Sequence, residues 1–110
     1  SKKIPDADDF IKLPISPPYI FTVKAKENTS VHIRTKMNDM TYFDQNLQLP
    51  QDSTVTVEFN EKLYFDLWKS NQVEAFINTI QIDGFFNYGN IAVRASIVSN
   101  GAFTLSFYNH

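Results

Sequence analysis

Only two histidines are available for acid/base work in this sequence, His32 in the interior and His110 at the last position. A Ser/His/Asp hydrolase needs an imidazole to take the serine proton and a carboxylate to orient that imidazole. Only His32 could serve. It alternates with Arg34 and Lys36 on the polar side of residues 30–36, which reads as an exposed strand histidine among cations. The three glycines, Gly84, Gly89 and Gly101, form neither a Gly-x-Ser-x-Gly elbow nor a phosphate-cradling loop. The absence of cysteine excludes thiolate nucleophiles, thiolate zinc sites and disulfides. Twelve Asp and Glu could furnish a glycosidase pair, which needs two carboxyl groups within roughly 5 to 10 Å. Glu58 with Glu61, or Asp66 with Glu74, are candidates that nothing beyond their presence selects. Asp6-Ala7-Asp8-Asp9 starts like a calcium loop, but the frame puts Ile11 where the turn glycine belongs and Pro17 where the bidentate carboxylate belongs. We therefore assign no catalytic residue, metal site or cofactor and read the chain as non-enzymatic.

The aromatic side chains are better placed for recognition. Ten Phe, five Tyr and one Trp make 15% of the residues, more than a core of this size must hold. Phe21, Phe59, Phe103 and Phe107 fall on the apolar side of alternating segments and are expected inside. Tyr42, Tyr64, Trp68, Phe85, Phe86 and Tyr88 fall in or beside predicted loops. There a ring can lie against a sugar face or a partner while its polar tip stays wet. Tyr64, Trp68, Phe86 and Tyr88 are thus the candidate ligand or partner aromatics, with the amides of Asn87 and Asn90 as polar partners. The competing structural reading makes Phe85 and Phe86 a plug at the end of the core and Trp68 a cover for its edge. Asn28-Thr29-Ser30 is a glycosylation sequon.

A third set of residues is suited to docking. Residues 1–18 contain four of the five prolines, Pro5, Pro14, Pro17 and Pro18, together with Asp6, Asp8 and Asp9. Proline fixes φ and removes the ladder N–H, so this stretch reads as an extended arm with at most a helical turn near residues 8–12. Phe10, Ile11, Leu13 and Ile15 make the arm too apolar to stay in water. It is expected to dock on its own domain or on a neighbouring subunit.

The elements that must position these residues are strands. A chain of 110 residues and 12.7 kDa, 43% hydrophobic and 20% charged, suits one folded domain. A net charge of −2 argues against a nucleic-acid binder, and no apolar run reaches the ~18 to 20 residues of a membrane span. The N-terminus lacks a signal-peptide core, so the chain reads as soluble.

From residue 19 onward, period-2 segments separated by turn residues every 8 to 12 positions give the signature of a sandwich or barrel. Phe21, Val23 and Ala25 share one face, as do Val31 and Ile33, leaving Lys24, Lys26, His32, Arg34 and Lys36 outward. Residues 54–59 (TVTVEF) form the cleanest strand, preceded by a short strand and turn over 47–52. Residues 60–70 are ambiguous, since Leu63 with Leu67 and Tyr64 with Trp68 have helical spacing. Val73, Ala75 and Ile77 have one parity and Ile80 and Ile82 the other, as in a strand with a one-residue bulge or one buried on both faces. At the C-terminus, a three-residue loop over residues 99–101 would pair Ile97 with Phe103, Ala95 with Leu105 and Val93 with Phe107, with Gly101 taking a positive φ.

The expected fold is all-β: an antiparallel two-sheet β-sandwich of seven or eight strands with a jelly-roll or immunoglobulin-like course. It carries the N-terminal arm (1–18), spans 19–110 and contains at most one short helix.

The succession Ser53-Thr54-Val55-Thr56-Val57-Glu58-Phe59, then Gly89-Asn90-Ile91-Ala92-Val93-Arg94, then Ala102-Phe103-Thr104-Leu105-Ser106-Phe107 resembles the small β-sandwich tip, fibre or accessory domains of bacteriophage virion proteins. It covers about the last sixty residues. The resemblance implies a structural or host-attachment part of a virus particle, oligomeric or docked on another virion protein, and no catalytic residues. The alternatives are a carbohydrate-binding module that holds a glycan on its loop aromatics, and an adaptor or inhibitor that acts by protein contact.

Overall fold

The structure, a computed structural model, describes residues 9–11, 18–67, 70–82, 93–99 and 103–109, with side chains over 18–67 and 71–82. The described residues form ten strands: β1 (Asp9–Ile11), β2 (Tyr19–Ala25), β3 (Thr29–Met37), β4 (Met40–Leu49), β5 (Thr54–Phe59), β6 (Lys62–Leu67), β7 (Val73–Ile77), β8 (Ile80–Ile82), β9 (Val93–Ser99) and β10 (Phe103–Asn109). The described helical content is one 3-10 turn, Ser70–Gln72. The strands form two antiparallel sheets, β1-β10-β9-β6-β3-β4 and β5-β2-β7-β8, and together they make a small β-sandwich. The count exceeds the expected seven or eight because the arm contributes β1 and residues 73–82 divide into two strands.

Among the described strands, β3–β4, β7–β8 and β9–β10 are consecutive neighbours in one sheet, and every other consecutive pair is divided between the two sheets. Because β2 pairs with β5 and β3 with β6, the β2–β3 and β5–β6 crossings lie side by side. Strands B, C, E and F of an immunoglobulin sandwich have the same relation. Here β7 occupies the other flank of β2.

Alternation builds the core. Tyr19, Phe21, Val23 and Ala25 of β2 point inward from one sheet, and Leu63, Phe65 and Leu67 of β6 from the other. The rings of Phe21 and Phe65 stack across the sandwich at 4.9 Å and 30°, while Tyr19 and Phe59 meet at 5.4 Å and 45° within their sheet. Offset and tilted arrangements of this kind suit the ring quadrupoles.

Several expectations change in detail. The ambiguous stretch 60–70 resolves into a strand over 62–67: a spacing of four is even, so Leu63 and Leu67 lie on one strand face as readily as on one helix face. The parity switch after Ile77 comes from a hairpin and not a bulge. Ile77 pairs with Ile80 and Ala75 with Ile82, and a two-residue turn sets odd positions opposite even ones. Asn78 turns that corner at φ 55°, a left-handed conformation that asparagine tolerates. In the β9–β10 hairpin, Phe103 pairs with Ser99, Leu105 with Ile97 and Phe107 with Ala95. This register is displaced by two residues from the expected one. A shift of two preserves which residues share a face, and three residues still separate the first pair. Gly101 lies outside the described residues.

Strand β4 was legible only at its end. Its residues alternate poorly, and what defines it is its partner β3, through a two-residue turn in which Asn38 and Asp39 both have positive φ, 52° and 60°. Those signs make a type I′ turn, whose twist matches the flanking strands. One extra residue, Tyr42, enters β4 between the Lys36–Thr41 and Thr35–Phe43 pairs as a β-bulge.

Candidate functional site

Even-numbered residues of β3 and β6 point away from the core, and the antiparallel register sets His32 beside Asp66 and Arg34 beside Tyr64. On the other side of β3, His32 pairs with Asn46 and Arg34 with Asp44. The outer face of the larger sheet thus gathers one imidazole, two carboxylates, two cations and a phenol ring from three strands. The Nε2–H of His32 donates to Asp44 Oδ1 at 2.5 Å, and His32 Nδ1 lies 3.5 Å from Asp66 Oδ2. His32 is 30% exposed, Asp44 54% and Asp66 18%. The carboxylates can only accept, so the imidazole meets both as a donor when it carries its second proton. Arg34 stands 5.3 Å and Lys36 5.6 Å from the Tyr64 ring centroid, within cation–π range.

This face is an electrostatic mosaic, and the sequence shows only part of it. His32 was expected among cations; the carboxylates come from strands 12 and 34 positions further on. Asp66 could have been found once 62–67 was taken as a strand, by parity alone. Asp44 could not, because nothing in residues 40–46 announces β4. The five basic side chains expected outward also separate. Lys24 belongs to β2 and Lys26 to the turn after it, in the smaller sheet, while His32, Arg34 and Lys36 belong to β3 in the larger one.

Tyr64 is not in a loop. It is half-buried in the middle of β6, and two cations already stand against its ring. Tyr42 is likewise on a strand, 62% exposed at the β4 bulge. Phe10 and Ile11 lie in β1, paired through their backbones with Thr104 and Phe103 of β10. Leu13, Ile15, Trp68, Phe86, Asn87, Tyr88 and Asn90 lie outside the described residues. Of the candidate carboxylate pairs, one is divided between the sheets. Asp66 and Glu74 occupy the outer faces of opposite sheets. Glu58 is exposed on β5, and Glu61 instead accepts the Asn38 N–H at 3.0 Å.

An open groove of about 490 Å³ runs past Asn28, Thr29 and Ser30 to Gln48, Leu49, Pro50 and Gln72. The sequon asparagine is exposed at its rim, where its Oδ1 accepts the Gln51 N–H at 2.8 Å. A smaller groove of about 170 Å³ lies between β3, β4 and β5 beside Tyr42 and Glu58. His32 lines neither. Among the described residues no cluster of three or more His, Asp and Glu could hold a metal ion, and no helix is long and apolar enough to cross a membrane. Comparison of the chain with protein-family models, with curated proteins and with solved structures finds no match.

Proposed function

We propose that this chain is a non-enzymatic assembly or attachment protein of a virus particle, which joins other subunits through its N-terminal arm and a sandwich surface. The observation that carries the reading is the strand Asp9–Ile11, laid antiparallel on the β10 edge. An arm that docks by backbone pairing on an edge strand can make the same pairing on a neighbouring copy, since exchange of an identical element needs no new interface chemistry. Phe10, Ile11, Leu13 and Ile15 are the apolar residues this reading assigns to docking, and the resemblance to virion sandwich domains supplies the setting. The expected result is a native mass by light scattering that is a multiple of 12.7 kDa at two concentrations. Replacing Phe10 and Ile11 by Asp should lower that mass while the far-ultraviolet circular dichroism of the sandwich is unchanged. A concentration-independent monomer for the unmodified chain overturns self-assembly, and an unchanged mass for the double variant overturns the role of the arm.

A further inference from the structure

Open sheet edges present unpaired N–H and C=O groups, and proteins blunt them with short strands, lysine, proline or bulges. Among the described residues the sheets end at β1 and β4 in the larger sheet and at β5 and β8 in the smaller. β1 and β8 have three residues each and β5 has six, whereas β4 has ten. The bulge at Tyr42 disturbs only the start of β4. Residues 43–49 run in unbroken register along β3, from the Thr35–Phe43 pair to the Thr29–Leu49 pair. That stretch holds no lysine or proline and one charge, Asp44, which already faces His32. Its core-side residues Phe43 and Leu47 pack against the core yet remain half-exposed, and Gln45 between them is exposed.

We infer that β4 is an interface strand, pairing antiparallel with β4 of a second copy about a two-fold axis through Gln45. This deepens the assembly reading, on which it rests, by naming the sandwich surface involved. The register follows from complementarity. With the axis at Gln45, each Phe43 stands opposite the other copy's Leu47, and each Asp44 opposite an Asn46 amide. Moving the axis to Asp44 sets two carboxylates against each other, which is unfavourable across a strand pair. Moving it to Asn46 sets Gln45 opposite Leu47. Any register that pairs odd with even positions brings the apolar side of one strand against the polar side of the other. The two larger sheets then continue into each other across the axis, and both half-covered apolar residues of each edge gain a partner.

The chain has no cysteine, which makes the axis directly testable. Directly opposed antiparallel residues have Cα atoms ~4.5 to 5.5 Å apart, within the span a disulfide bridges. Gln45→Cys should therefore form a disulfide-linked dimer under mild oxidation. Thr56→Cys, exposed on the outer face of β5, should not. Gln45→Lys, which opposes two ammonium groups at the axis, should lower the native mass without changing the far-ultraviolet circular dichroism of the folded chain. Cross-linking of Gln45→Cys no greater than that of Thr56→Cys overturns the inference. So does a Gln45→Lys variant that keeps the mass of the unmodified chain. If that mass instead falls on replacing Phe10 and Ile11 by Asp, the β4 pairing fails and assembly through the arm stands. If the unmodified chain is a monomer, both fall together.

Discussion

His32 is where a single side chain shows most clearly what its neighbours decide. On an isolated strand it would sit between Ser30 and Arg34, but in the sheet it lies between Asp44 and Asp66. Asp44 is more than half exposed and His32 almost a third, so water screens much of their attraction. Pairs of this kind are worth at most about 1 kcal/mol. A double-mutant cycle of His32→Gln and Asp44→Asn, read by urea unfolding, should give a coupling of no more than about 1 kcal/mol. A coupling of several kcal/mol would mean that this contact is a structural clamp on β4 rather than a screened surface pair. Tyr64 teaches a related lesson. A tyrosine read as a ligand platform carries Arg34 and Lys36 against its ring, so an incoming sugar would have to displace contacts already made.

The hairpin β3–β4 shows what an element asks of its residues. Its turn puts Asn38 and Asp39 in left-handed conformations, which side chains with a Cβ resist and glycine does not. Asp39→Gly should stabilise the protein by roughly 0.5 kcal/mol, because Asn-Gly is the favoured type I′ pair. A rise in the urea midpoint with an unchanged slope checks it, and a fall would show that the Asp39 side chain supports the turn. The strands themselves are largely legible: β2, β3 and β5 follow from alternation, a property of neighbouring residues. β4 is not, since Asp44, Gln45 and Asn46 lack an apolar and a polar side. The β7–β8 hairpin is hidden in the sequence because a bulged strand, a strand buried on both faces and a two-residue turn all produce the same switch in parity.

At the scale of the molecule, two sheets are held together by residues distant in the chain. Phe21 and Phe65, both essentially fully buried, stack between the sheets, so the pair reports on the sandwich as a whole. Phe65→Ala should cost about 3 to 5 kcal/mol, the usual loss for a buried phenylalanine whose cavity cannot fully close. The measurement is chemical denaturation followed by Trp68 fluorescence and circular dichroism together. A loss below about 1 kcal/mol would mean that the two sheets do not share one core.

The all-β class and the side of β2, β3 and β5 that faces inward can be read from the amino-acid sequence alone, as can the proline-rich composition of residues 1–18. Those features follow from a side-chain period of two and from the geometry of proline, both of which act over a few residues. The tertiary structure alone decided which strands are neighbours. It sent β2 and β3 to different sheets, dividing cations that had looked like one face, and it brought Asp44 and Asp66 to His32. Strand pairing joins residues far apart in the chain, where the cost of closing a loop rises only slowly with its length. Local pattern therefore leaves many pairings close in energy, and the packing of the whole core selects among them.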